Sequence, residues 1–275
     1  MCDTCGCNIT DANRSLIEPG GKLAKTVQGN EAVDVLQNLL HENNHRAVHN
    51  REHFDQHRVL AINLMSSPGS GKTALLEATI DAIKTQHIKL SIAVIEGDLE
   101  TENDAQRIRN KGIPALQITT GNACHLDAYM VHEALHELKL DGLDIVFIEN
   151  VGNLVCPASF DLGHHLNVTL LSVTEGDDKP SKYPVMFRAS NLNLITKTDL
   201  LKVLDDFHVE NAETAIRHLA NPAPLIEVSA KDGTGIEQWI RWLEQQLQHF
   251  RAHLDKGETL LPDTQKDGLQ LHAPG

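Results

Sequence analysis

No apolar run in this 275-residue chain approaches the length of a membrane span, and its N-terminus lacks the basic-then-apolar layout of a signal peptide. A cytoplasmic protein is the expectation. Basic residues are outnumbered, with 24 Lys and Arg against 38 Asp and Glu, and a net charge of −14 argues against non-specific nucleic-acid binding. Cysteine is sparse: there are five, an odd number, and a reducing compartment argues against a disulfide framework. No internal repeat is visible. What cysteine there is sits in telling places, Cys2, Cys5 and Cys7 at one end and Cys124 and Cys156 in the body of the chain. With 16 histidines beside them, these thiols point toward transition-metal handling.

Length allows one substantial α/β core with short appendages. Residues 1–30 are polar, contain Pro19-Gly20-Gly21, and read as a flexible arm tipped with cysteine. Residues 31–57 read as a helix. From 59 to 250, short apolar runs alternate with helical patterns, as a mostly parallel seven-stranded sheet with helices on both faces requires. The expected strands are 59–65, 90–95, 114–119, 143–149, 167–173, 191–196 and 224–228. A helix from Ile236 to His253 carries Trp239 and Trp242 at core spacing. The core unit is thus expected over 31–254, and 255–275, rich in Gly, Pro and charge, is expected to be disordered.

The strongest motif is Ser66-Ser67-Pro68-Gly69-Ser70-Gly71-Lys72-Thr73, directly after the apolar run from Val59 to Met65. A buried strand entering a glycine-containing loop that ends in Gly-Lys-Thr and opens a helix is a phosphate-cradling P-loop. Backbone N–H groups from Gly69 to Ala74 would face the phosphates, Lys72 would reach the outer ones, and the Thr73 hydroxyl would bind Mg²⁺. Ser66 stands where the first glycine usually does.

Further along, Glu149 ends an apolar strand and precedes Asn150-Val151-Gly152. A carboxylate there can hold the Mg²⁺ shell, and Gly152 can offer an N–H to a γ-phosphate. Asp98, in Glu96-Gly97-Asp98, reads either as a metal-facing switch residue or as a helix N-cap. Thr196-Lys197-Thr198-Asp199 resembles the Asn-Lys-x-Asp guanine motif. The Asp199 carboxylate can accept from guanine N1–H and the exocyclic amine, a donor pair adenine lacks. Lys197 would lie along the base, while Thr196 removes an amide that commonly braces this loop. Ser229-Ala230-Lys231 completes the set, whose order and spacing around a P-loop are specific.

Two thiol groupings suit a metal. Cys2-x-x-Cys5-x-Cys7, with an α-amine on Cys2 as a possible fourth donor, suits four-coordinate Ni²⁺ or Zn²⁺; the alternative is a redox-active or merely exposed cluster. Cys124-His125 and Cys156 both follow strand ends, where α/β sheets place their chemistry, and Cys156 is four residues beyond Gly152. Apolar packing is the alternative for two isolated cysteines. His41, His45, His49, His53 and His57 recur every four residues, as a solvated helix face or as chelating pairs. His132 and His136 would share a helix face with His125, and no role follows for them or for His164 and His165.

Taken together, these residues resemble the nickel-incorporation GTPases of hydrogenase maturation, a metallochaperone family of the SIMIBI P-loop class. The resemblance rests on Cys2 to Cys7, Asn63 to Thr73, Glu149 to Pro157, Glu175 to Pro180 and Lys182-Tyr183-Pro184, and spans nearly all but the C-terminal tail. It makes Ser66 a family trait. It implies GTP hydrolysis coupled to Ni²⁺ delivery into [NiFe]-hydrogenase. The residues themselves put Lys72, Thr73, Asp98 and Glu149 in a Mg²⁺-dependent catalytic group, and with no sequence mark of an in-chain arginine finger the intrinsic rate is expected to be slow. The resemblance also implies a homodimer favoured by GTP, a small nickel-binding accessory protein, the hydrogenase large subunit as recipient, and no membrane. A high-affinity site at Cys2, Cys5 and Cys7 and a weaker Ni²⁺ or Zn²⁺ site at Cys124, His125 and Cys156 follow from the same likeness. A nickel store, a urease-type accessory GTPase and an ATP-using small-molecule kinase are the rival readings.

Overall fold

The structure is a computed structural model that describes residues 17–18, 22–23, 32–98, 103–121 and 123–262, with side chains described from Leu40 onward. Within the arm, Ile17–Glu18 (β1) and Lys22–Leu23 (β2) pair antiparallel. Cys2, Cys5 and Cys7 lie outside the described residues, as does the chain from 263 on.

After helix α1 (Ala32–Gln56), seven strands form one sheet: β3 (Leu60–Ser66), β4 (Ile92–Asp98), β5 (Ala115–Thr119), β6 (Ile145–Glu149), β7 (Leu166–Ser172), β8 (Leu192–Thr196) and β9 (Leu225–Val228). Their order is β5-β4-β6-β3-β7-β8-β9, and every pairing is parallel. The P-loop strand β3 is therefore central, where the order reverses, and ligands of such sheets bind at the carboxyl ends beside that switch point.

Alternation along the strands sorts the two faces. Leu60, Ile62 and Leu64 of β3, Ile92 and Val94 of β4, and Ile145 and Phe147 of β6 pack under α2 (Lys72–Thr85), α3 (Asn103–Asn110) and α8 (Ile236–Leu254). Trp239 is fully buried there, its indole N–H donating to Thr79 Oγ1 at 3.0 Å. On the opposite face, Ala61, Ala93, Ile95, Val146 and Ile148 pack under α1 and α4 (Ala128–Glu137). Leu171 and Ile195 meet α6 (Pro184–Arg188), which follows the single turn α5 (Lys179–Lys182), and α7 (Val209–His218).

Most strands begin and end within one or two residues of expectation. β4 differs, running through Asp98 because Glu96, Gly97 and Asp98 stay in register with Gln117, Ile118 and Thr119 of β5. Asp98 is thus on a strand and does not cap α3, which starts at Asn103. The first part of the expected tail is placed: Leu260 packs partly against the core, and Asp255 pairs with Arg58 at 2.8 Å.

The inner face of α1 is unusual. Positions 43, 47, 50, 51 and 54 face inward, yet three of them are Asn43, Asn50 and Arg51. Each is matched. Arg51 makes a two-oxygen contact with Asp161 at 2.6 and 2.7 Å and reaches His164 O. Asn43 bonds Asp161 O and the Ala128 N–H, and Asn50 donates to Ala128 O and Leu162 O. A buried polar group left single would cost several kcal/mol, so these pairings fix α1 in one position over the loop at 160–165. That loop holds two fully buried histidines. His164 Nε2 lies 2.8 Å from Asn167 Oδ1, and burial pushes its pKa down to about 4. His165 Nδ1 accepts from the Ala61 N–H at 2.9 Å, and its Nε2 lies 3.0 Å from Asp55 Oδ1. Both are neutral and structural.

Gly163 makes this docking possible. Its φ is +86°, and a Cβ there would stand 2.4 Å from Asn50 Cβ and 2.6 Å from Ala47 O. Gly163→Ala is expected to lower unfolding free energy by about 3 kcal/mol or more, read from the urea midpoint. Gly142→Ala, with φ +81° but open space around it, should cost only about 1 kcal/mol of backbone strain.

Candidate functional site

The loop leaving β3 folds tightly. Gly69 (φ +74°) and Gly71 (φ +95°) occupy the left-handed region, and Gly71 caps α2 with its carbonyl accepting from Leu75 N–H. Lys72 and Thr73 are buried at the first turn. Lys72 Nζ donates to Ser66 Oγ at 3.0 Å, so the serine in the first glycine's place anchors the lysine.

Alternation then brings carboxylates to the same spot. Glu96 continues the inward face of Ile92 and Val94, and Glu149 that of Ile145 and Phe147, and the two are register partners on β4 and β6. Thr73 Oγ1 donates to Glu149 Oε1 at 2.8 Å. One oxygen of each glutamate, Oε2, is buried without a hydrogen-bond partner. Burial, with Glu149 next in weight, pushes the Glu96 pKa up to about 8; burial likewise raises that of Glu149, against the pull of Lys72. Hard carboxylate oxygens left over beside a threonine hydroxyl fit a divalent cation such as Mg²⁺. Asp98 lies on the same face at the strand's end. Glu96 was not singled out from the sequence, although counting by twos from Ile92 reaches it.

A second role not anticipated is that of Glu175, in the loop after β7, which the sequence offered only as part of the family resemblance. Its carboxylate accepts from Ser67 Oγ at 2.6 Å and from the Ser70 hydroxyl, so it tethers the P-loop.

At the base-side end, Asp199 accepts from Ser229 Oγ at 2.9 Å and stands 3.7 Å from Lys231 Nζ; Ala230 lies exposed between them. Lys197, with φ +59°, donates to Gly69 O at 2.7 Å. Thr196 Oγ1 donates to Ser70 O at 2.7 Å. The bracing that the threonine was expected to forfeit is therefore made through its hydroxyl.

Cys124, His125 and Cys156 come together with their ligand atoms all within 4.8 Å, and they are the one such group of three or more among the described residues. The sulfurs are 3.3 Å apart, and Cys124 Sγ is 3.7 Å from His125 Nδ1. Hydrogen bonding from Cys124 pulls the Cys156 thiol down, with help from His125, while Cys124 is pushed up. His125 is buried and stacks on Phe160 at 4.0 Å between ring centroids. It precedes α4, whose cap is Asp127, so it does not share a helix face with His132 and His136. Thiolates with one imidazole suit Ni²⁺ or Zn²⁺.

Two contacts, one through backbone and one through the Asn150 side chain, link this grouping to the P-loop and its strand. A Cβ on Gly152 would lie 2.7 Å from both Pro68 Cα and Pro68 N, so the chain leaving β6 presses directly on the P-loop. Asn150 Oδ1 accepts from the Leu126 N–H and the Val151 N–H, while its Nδ2 donates to Asn63 of β3.

A parallel sheet carrying a P-loop at its switch point defines a nucleotide-binding protein. Residues 60–227 match the CobW/HypB/UreG nucleotide-binding domain, and the chain belongs to that family. Similar curated proteins include hydrogenase maturation factors. The Escherichia coli K12 hydrogenase maturation factor HypB is 50% identical over 214 residues, covering 78% of this chain and 72% of that one. The crystal structure of HypB from Helicobacter pylori in complex with nickel matches with a TM-score of 0.72 and 41% identity, over 76% of this chain and 96% of that one. HypB from Archaeoglobus fulgidus matches with a TM-score of 0.69 and 40% identity, over 76% of this chain and all of the other.

Gly152→Ala is expected to displace Pro68 and weaken nucleotide binding about tenfold or more, with the fold retained, as measured by titration with a fluorescent guanine nucleotide. An unchanged affinity would remove this contact from the account of the site.

Proposed function

We propose that the chain is a GTP-hydrolysing metallochaperone that delivers Ni²⁺ during maturation of [NiFe]-hydrogenase, with nucleotide state controlling its internal metal site. One observation carries the reading: the Gly152 backbone abuts Pro68 of the P-loop, four residues before Cys156, whose sulfur meets Cys124. A change in the phosphates at the P-loop has a short, rigid path to the thiols. Kinship with proteins named as hydrogenase maturation factors, one solved with nickel, supports the cargo.

In this reading Gly69, Ser70, Gly71, Lys72, Thr73 and Ala74 cradle the phosphates. Lys197, Asp199, Ser229, Ala230 and Lys231 hold guanine, and Gly152 senses the γ-phosphate. Lys72 must leave Ser66 to reach the phosphates, and Thr73 and Glu149 exchange their mutual hydrogen bond for the Mg²⁺ shell, with Glu96 and Asp98 alongside. Mg²⁺ would neutralise charge on the β- and γ-oxygens. Arg107, whose charge acts on Glu149, is occupied by Glu77 and Asp104, which suits slow intrinsic hydrolysis.

Cys124, His125 and Cys156 hold Ni²⁺ or Zn²⁺, with a fourth donor from water or a second subunit. Val155, half exposed beside Cys156, fits a face shared in a GTP-favoured homodimer. The N-terminal arm, residues 1–30, is a separate high-affinity site through Cys2, Cys5 and Cys7, the core spans 31–254, and 255–275 is a tail. A small nickel-binding accessory protein and the hydrogenase large subunit are the partners, in the cytoplasm.

The deciding measurement is a Ni²⁺ titration of the reduced protein with GDP and then with a non-hydrolysable GTP analogue. The internal site is expected to change affinity with nucleotide while the N-terminal site does not; if neither responds, a nickel buffer replaces the gated chaperone. Lys72→Ala should abolish GTP hydrolysis, followed by phosphate release, and leave Ni²⁺ binding at Cys2, Cys5 and Cys7 unchanged.

A further inference from the structure

His132 and His136 sit one turn apart on α4, on the side packed against α1. Their Nε2 atoms converge to 3.2 Å, with the rings nearly perpendicular at 82°. Metal–imidazole bonds of about 2.0–2.1 Å at ordinary coordination angles place two nitrogens of one ion about 3 Å apart. The pair therefore already has the bite of a chelate.

The protonation of His132 is set from behind. Asn50 is fully buried, and both hydrogens of its Nδ2 are used, on Ala128 O at 2.8 Å and Leu162 O at 3.0 Å. Its Oδ1 is consequently what faces His132 Nδ1 at 3.0 Å. An acceptor there requires a donor opposite, so the ring carries its proton on Nδ1 and turns the Nε2 lone pair toward His136. A hydrogen-bond partner that fixes the tautomer behind the coordinating nitrogen is what metal-ligating histidines have.

The surroundings favour neutral imidazole. Burial and His136 hold the His132 pKa down, with Arg46 and His49 acting the same way and Glu133 opposing. His53 on α1 is likewise held down, by burial first and then by His57 and His136. The other four-apart histidine contacts differ. His45–His49, His53–His57 and His249–His253 touch through their rings at 4.4–5.0 Å, and among the described residues only His132 and His136 bring two ring nitrogens within hydrogen-bond distance.

We propose that His132 and His136 form a further cation site, separate from Cys124, His125 and Cys156, that takes a first-row ion with affinity for imidazole, Ni²⁺ or Zn²⁺, and not Mg²⁺. Two nitrogen donors with water in the remaining positions bind more weakly than a thiolate set, so the ion exchanges readily. The site does not depend on the nucleotide-gated reading above.

The test is a Zn²⁺ titration of the full-length, reduced protein, followed by long-range ¹H–¹⁵N NMR of the imidazole nitrogens and by equilibrium dialysis. After the thiol sites fill, the next ion should shift the Nε2 resonances of His132 and His136, and Mg²⁺ at the same concentration should not. His136→Gln, at an exposed position, should weaken that ion at least tenfold while leaving thiol-held Zn²⁺, guanine-nucleotide affinity and the melting temperature unchanged. His132→Gln should do likewise if the fold tolerates it; if it does not, His136→Gln decides alone. Unmoved resonances, or equal ion affinity in His136→Gln, would reduce the contact to a plain histidine–histidine hydrogen bond and overturn the proposal. Nucleotide dependence of the thiol site, read in the same titration, tests the other reading independently.

Discussion

A row of amides crosses the middle of the sheet at the end where the P-loop begins. Asn150 after β6 donates to Asn63 of β3, Asn63 donates to Asn167 of β7, and Asn167 meets His164. All four are buried. In a dry interior each amide must find its counterpart, and a one-residue slip of any strand would turn an amide to the opposite face and leave its neighbour single. The row thus locks three central strands in register. It also sets the height of everything above it: Asn150 carries the Leu126 N–H and so the Cys124-His125 turn, and the next residues carry Gly152 onto Pro68.

The phosphate end and the metal end consequently share a foundation. Neither is built on a loop of its own: the P-loop and the Gly152 segment extend the adjacent strands β3 and β6, and the thiol turn, which follows the edge strand β5, is held to them through Asn150. The polar groups of α1 do the equivalent on the back of the sheet, where Asn43, Asn50 and Arg51 hold the turns at 126–128 and 160–165. That double clamp leaves little room for the thiol group to rearrange except along the Cys156 side.

Much of this was legible in the chain. The continuous apolar runs gave away a sheet covered on both sides, and the P-loop, Asp199 and Ser229 stood at the ends of their strands in the right order. Cys124, His125 and Cys156 were found by their positions after strand ends, and the structure brings their ligand atoms together. Glu175 was harder, because a carboxylate tethering a phosphate loop belongs to no general motif and its partners lie over a hundred residues away. Glu96 was hidden by a strand that runs three residues past its apolar run, since pairing with β5 outweighs local hydrophobicity. The inward Asn43, Asn50 and Arg51 of α1 were not singled out, because helical spacing reports which residues share a face, not what that face meets. His132 and His136 could not be interpreted before Asn50, eighty-two residues earlier, was seen behind them.

The order of strands also bears on how the chain is made. β3 lies at the centre, yet Leu60 pairs with Ile145 and Ile62 with Leu166, so its two neighbours arrive 85 and 104 residues later. Closing such loops costs entropy before any contact is gained, and distant parallel pairings are slow to form. At about 5–20 residues per second of synthesis, β3 waits roughly 5–20 s for its second neighbour to be made. For most of that interval a fully buried strand of the finished protein has neither of its neighbours to pair with. Its nucleotide loop can take its final shape only after residue 197 has been added, because Glu175, Thr196 and Lys197 all bond to it.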